Sequence, residues 1–129
     1  MLLLTMSIVC ILNILFVYLG MIYYDIMKFQ TFWQNLTKET SPGKKFLTLS
    51  RKKPFTATYH DGNIVIKPSK VPVYERPINQ NEFHKVWTKA SKLSQSERFV
   101  GKHYHDDTFH ASYIIALMKS IVNDGEISQ

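Results

Sequence analysis

The chain has 129 residues, 45% of them hydrophobic, with 16 Lys or Arg against 10 Asp or Glu and a net charge of +6 at pH 7. That length fits one small domain with a single modest core, and it excludes an ordinary multidomain enzyme. The lone cysteine, Cys10, excludes a disulfide framework and a cysteine-built zinc site.

Charge is spread unevenly. Residues 1–24 carry no charged side chain, so the whole basic excess belongs to the rest of the chain. This apolar segment, interrupted by Thr5, Ser7 and Asn13, is long enough to cross a hydrocarbon core as a helix. Tyr18, Tyr23 and Tyr24 suit an interfacial belt. Lys28, Lys38 and Lys44 follow the segment and no cation precedes it, so the positive-inside rule puts the body of the chain in the cytoplasm of a membrane-anchored protein. A cleavable signal peptide fits less well, because no Lys or Arg opens the chain and no small-residue cleavage site follows. A third reading takes Met27 as the true start, residues 1–26 as a mis-assigned upstream extension, and the protein as cytoplasmic.

Beyond the apolar segment, Phe29, Phe32, Trp33 and Leu36 repeat at i, i+3, i+4 and i+7 and predict a short helix over residues 27–38. Thr40-Ser41-Pro42-Gly43 ends it. Residues 45–50 alternate, with Phe46 and Thr48 facing opposite to Leu47 and Leu49, and predict a short strand. Pro54 suits a strand start or an edge. The clearest local signal spans residues 55–67, where Asp61-Gly62 joins an alternating run to Ile64-Val65-Ile66. A type I′ hairpin turn needs positive φ at both central positions, which Asp-Gly supplies. Pro68, Ser69 and Pro72 bound a linker, and residues 73–78 read as a third strand.

Asn79 followed by Glu82 reads as a capping box, and Phe83, Val86, Trp87 and Ala90 give the apolar face of the helix behind it. Residues 94–106 are polar and read as a loop. A last helix is expected from about Thr108, capped by Asp107 or Thr108, with Tyr113, Ile114, Leu117 and Ile121 on its face and Asn123-Asp124-Gly125 as its stop. The resulting expectation is an α+β domain over residues 27–123, a small three-stranded antiparallel sheet packed by about three helices in the order αβββαα. One long apolar N-terminal helix precedes it and a tail, residues 124–129, follows.

Five cations, Lys44, Lys45, Arg51, Lys52 and Lys53, fall within ten residues with no acid among them. Such a cluster can meet nucleic-acid phosphates, with Tyr59 or Phe55 available to stack on bases, or an anionic lipid surface beside a membrane helix. It can equally be a solvated loop that keeps the domain soluble. His103, His105 and His110, near Asp106 and Asp107, form the one dense set of metal-ligand types. No HExxH-like pattern supports them, and acids there suit a helix N-terminus, so neither a metal nor any other cofactor is expected. His60-Asp61 reads as hairpin turn, Glu75-Arg76 as an exposed ion pair, and Trp33 and Trp87 as core. The expected helices around residues 79–90 and 108–122 stand too far apart for a helix-turn-helix. No phosphate loop, nucleophile elbow or paired-carboxylate motif is present, so no catalytic residue is assigned.

Thr48-Leu49-Ser50-Arg51 with Lys53-Pro54-Phe55, Ile64-Val65-Ile66 with Pro68-Ser69, Arg76 and Ile78, Phe83 and Val86, and Ala111-Ser112-Tyr113-Ile114 with Ala116-Leu117 make one pattern. Through it the last hundred or so residues resemble a small uncharacterised bacterial or phage α+β domain. The resemblance implies a soluble domain without an assigned reaction and carries over no site residue. The functional expectation is a non-catalytic basic module contacting nucleic acid through Lys44, Lys45, Arg51, Lys52 and Lys53. The alternatives are a single-pass membrane protein with a cytoplasmic basic domain, and a metal-dependent site at His103, His105 and His110.

Overall fold

The computed structural model describes residues 2–122, with the side chains of residues 2–7 and 21–27 left out of the description. The expected tail at 124–129, the Asn123-Asp124-Gly125 stop and the side chains of Tyr23, Tyr24 and Met27 lie outside the described residues. Helix α1 runs over Leu2–Thr40 without a break. The strands β1 (Lys44–Leu47), β2 (Pro54–His60), β3 (Asn63–Pro68) and β4 (Arg76–Asn79) follow. Helices α2 (Gln80–Ala90) and α3 (Gln95–Arg98), a 3₁₀ turn over Gly101–Tyr104 and helix α4 (Ala111–Ile121) complete the chain.

Two parts of the expected fold are corrected. The sheet has four strands, paired antiparallel in the order β1-β2-β3-β4, where three were expected. Both outer strands have four residues and pair on one side only, β1 with β2 and β4 with β3. The expected runs at 45–50 and 73–78 correspond to these edges, and the hairpin over 55–67 supplies two strands, β2 and β3, where the expected count allowed one. The second correction concerns the N-terminal segment. It is no separate apolar helix, because the first Pro lies at position 42 and nothing before it breaks the helix between the apolar run and the domain. Asp25 and Lys28 interrupt its apolar character, and among the described residues no helix is long and apolar enough to cross a membrane. Residues 8–20 are all exposed, Tyr18 included.

From Phe29 onward α1 belongs to the core. Phe29, Phe32, Trp33 and Leu36 are buried, as their spacing predicts. Their rings interlock with α2: Phe32 stacks on Trp87 at 5.0 Å, Phe29 meets Trp87 edge-on at 5.8 Å, and Trp33 meets Phe83 edge-on at 5.3 Å. Aromatic pairs at such separations gain beyond the area they bury. The helix ends where Gly43, at φ +79°, returns its N–H to the Thr40 carbonyl at 3.0 Å. One face of the sheet, with Phe46, Phe55, Ala57, Ile64, Ile66 and Ile78 buried, packs against the helices. The alternate residues Lys45, Leu47 and Lys67 are exposed, the pattern of an antiparallel sheet covered on one face. The Asp61-Gly62 hairpin forms with both residues at positive φ, 49° and 80°.

The polar stretch 94–106 is not the expected loop. It folds as α3 and the 3₁₀ turn around two buried side chains. Arg98, 2% exposed, donates from Nε to the Ala90 carbonyl at 3.0 Å and from Nη2 to the Leu93 carbonyl at 2.9 Å. It thereby ties α3 to the last carbonyl of α2, which also accepts the Leu93 N–H at 3.1 Å, and to the Leu93 carbonyl in the turn that follows. Tyr104, fully buried, donates its hydroxyl to the Arg98 carbonyl. Helix α4 starts at Ala111 with His110 at its cap position, later than expected. Asn79 caps α2 by accepting from the Glu82 N–H at 2.9 Å. The Glu82 carboxylate does not complete a capping box; it accepts from Thr108 Oγ1 and contacts His110 Nδ1, each at 2.9 Å, and so ties α2 to the entrance of α4.

Candidate nucleic-acid interface

An open groove of ≈ 1610 Å³ lies between two walls at one end of the molecule. One wall comes from residues 48–54 and 68–76, on the β1–β2 and β3–β4 connections. The other comes from residues 99–105 and the start of α4. Arg51, Lys53, Lys70, Arg76 and Lys102 line it together with His105, and among the described residues no Asp or Glu does. With no carboxylate of the described residues in its lining, the groove concentrates positive potential. Its apolar lining includes the exposed Val71, Tyr74 and Phe109 with Phe99 and Tyr113 deeper, and the Arg76 guanidinium lies 5.6 Å from the Tyr113 ring centre.

Both walls are braced. In the first, Thr48 is buried and accepts the Lys53 N–H on Oγ1 at 2.9 Å, while its own N–H donates to the Lys53 carbonyl at 2.9 Å. The Lys52 N–H closes on the Thr48 carbonyl at 3.2 Å, with Lys52 at φ 54°. Arg51, Lys52 and Lys53 are thus presented from a fixed turn. In the second wall, Arg98 and Tyr104 anchor the segment that carries Lys102 and His105. Burial pushes the Tyr104 hydroxyl from 10.0 up to about 12, against an opposing pull from the Arg98 charge and with a smaller contribution from Asp107 in the same direction. Tyr104 therefore stays a neutral donor.

The five clustered cations separate. Arg51 and Lys53 line the groove. Lys44 pairs with Glu39 at 2.6 Å beside the end of α1, and Lys45 projects from the open face of the sheet. Lys52 is exposed on the turn outside the groove lining. Tyr59 and Phe55, the expected stacking partners, face the core: Phe55 is buried and meets Tyr113 edge-on at 5.0 Å, and Tyr59 packs against the same core. Sequence reasoning missed Lys70 and Lys102 and read Arg76 as the exposed ion-pair partner of Glu75; the three come from separated segments and converge only through the fold.

The histidines are not brought together. His103 pairs with Glu97, His110 with Glu82, and His105 lies exposed at the groove. Among the described residues no group of three His, Cys, Asp or Glu is placed to hold a metal ion. Glu75 pairs with Lys67 at 3.2 Å and not with Arg76, which leaves Arg76 on the groove side. His60 and Asp61 approach at 3.3 Å on the exposed hairpin tip, and Trp33 and Trp87 are core. Set against known protein families, characterised proteins and solved structures, the chain matches none.

Proposed function

We propose that the protein is a non-catalytic binding module for nucleic acid, and that the basic groove is its contact surface. The observation that carries this reading is the lining itself: among the described residues, five Lys or Arg from both walls, no acid, and apolar surface between them. Phosphates neutralised by such cations release condensed counterions, which supplies sequence-independent affinity that falls with salt. The braced turn at Thr48 and the anchored segment at Arg98 and Tyr104 support it further, because the backbone of both walls is already ordered before binding.

The test is a titration of the full chain, in a non-ionic detergent that covers the exposed apolar residues of α1, against labelled oligonucleotides at low and at physiological salt. Lys53→Gln/Lys102→Gln, one cation from each wall, is compared with Lys85→Gln/Lys92→Gln, which removes the same charge outside the groove lining. The reading predicts salt-dependent binding that the first pair weakens about tenfold or more and the second weakens far less. Lys44→Gln/Lys45→Gln is expected to resemble the second pair. No binding at low salt, or equal losses in all three, would overturn it.

A further inference from the structure

We infer that the groove takes a single strand, with Tyr74 and Phe109 as platforms on which unpaired bases stack; the inference rests on the nucleic-acid reading and narrows it. Phe109 is 98% exposed and Tyr74 68% exposed, yet both line the groove. Two large rings standing in water contribute nothing to the core and favour any ligand that covers them.

Phe109 is not displayed by a loose loop. Its neighbour Thr108 is buried and donates its hydroxyl to Glu82, the His110 N–H donates to Thr108 Oγ1 at 3.0 Å, and the His110 ring contacts the same carboxylate. The backbone on both sides of Phe109 is therefore pinned while its ring points away from the protein. Tyr74 stands on the opposite wall, next to Glu75, which Lys67 holds at 3.2 Å. Cations flank the rings on both walls, with Arg51, Lys53 and Lys70 on the Tyr74 side and Lys102 on the Phe109 side.

Single-strand binders use this combination of a basic trough that follows the phosphates and aromatic rings that stack on splayed bases. A duplex keeps its base faces stacked inside, so it can use the rim cations and leaves both rings uncovered. Reading a duplex major groove needs a protruding helix or β-ribbon, and this surface is concave.

The test uses labelled single strands of about 12 nucleotides, DNA and RNA of the same sequence, and a hairpin duplex of equal phosphate count, all at one salt concentration. The full chain is compared with Tyr74→Ala, Phe109→Ala, the double variant and Tyr74→Phe. Both rings are solvent-exposed, and circular dichroism melts confirm that each variant folds. Single strands are expected to bind at least tenfold tighter than the duplex, DNA and RNA alike or one preferred. Each alanine variant weakens single-strand binding about tenfold, the loss of one base stack, and Tyr74→Phe retains it. Equal affinity for strand and duplex, with alanine variants at full strength while Lys53→Gln/Lys102→Gln is weak, would overturn the inference and leave the nucleic-acid reading standing. Absence of binding to every oligonucleotide, with or without capture by anionic phosphatidylglycerol vesicles, would overturn both.

Discussion

Arg98 is the side chain whose removal tests most of the fold at once. It is buried, and its guanidinium bridges α3 back to the Ala90 carbonyl at the end of α2 and to the Leu93 carbonyl just beyond it. A hydrogen bond from a charged donor contributes about 1.5–3 kcal/mol net; without Arg98 the Ala90 carbonyl keeps the Leu93 N–H at 3.1 Å, and the part-buried Leu93 carbonyl loses its Arg98 donor. The desolvation of the guanidinium offsets part of this, because it has been taken out of water. The net loss for Arg98→Ala is therefore about 2–4 kcal/mol, a large fraction of the stability of a domain this small. Arg98→Lys, which keeps the charge and loses the planar fork, should fall between the variant and the parent. Urea unfolding followed by circular dichroism measures both, with the slope unchanged if the native core is intact. A midpoint for Arg98→Ala that places its stability within about 0.5 kcal/mol of the parent would refute the assigned role, since that is the range of ordinary surface changes.

Three further outcomes follow from the same geometry. Tyr104 has its hydroxyl raised from 10.0 to about 12 in the folded chain, so the stability it carries is complete below pH 10 and is lost as pH climbs from 10 toward 12. Tyr104→Phe should thus be about 1 kcal/mol less stable at pH 8, with the gap closing by pH 11 in paired urea titrations; a gap that stays constant contradicts the burial argument. Thr48→Val removes the acceptor of the Lys53 N–H and should cost about 1–2 kcal/mol and weaken oligonucleotide binding several-fold, because the turn carrying Arg51 and Lys53 loosens. Gly43→Ala places a Cβ 3.1 Å from Thr58 Oγ1 at φ +79° and should lower the thermal midpoint through a cost of about 1–2 kcal/mol, with binding by the folded protein unchanged because Gly43 lies outside the groove.

What was legible in the sequence is what neighbouring residues decide. The Phe29–Leu36 face, the Asp61-Gly62 turn and the Asn79 cap each depend on side chains within one or two turns of one another. The sheet was counted one strand short because the hairpin over residues 55–67 is itself two strands, β2 and β3, while the runs at 45–50 and 73–78 mark β1 and β4, with bounds shifted because short edges gain their pairing from β2 and β3. The segment 94–106 looked like a polar loop because a buried arginine and tyrosine are indistinguishable from solvated ones until the ends of α2 are in place. The clustered cations suggested one patch, yet successive strand residues point to opposite faces and the Glu39 pairing draws Lys44 aside. The groove was illegible for a related reason. Arg51, Lys70, Arg76 and Lys102 come from three separate segments of the chain, and only the meander and the anchored 3₁₀ turn bring them to one trough.

The most direct measurement of the central claim is the slope of log affinity against log salt for a single-stranded oligonucleotide. Five groove cations contacting phosphates predict a slope near −3.5, and Lys53→Gln/Lys102→Gln should make it shallower by about 1.4. A slope near zero, or one that the double variant leaves unchanged, would contradict the account.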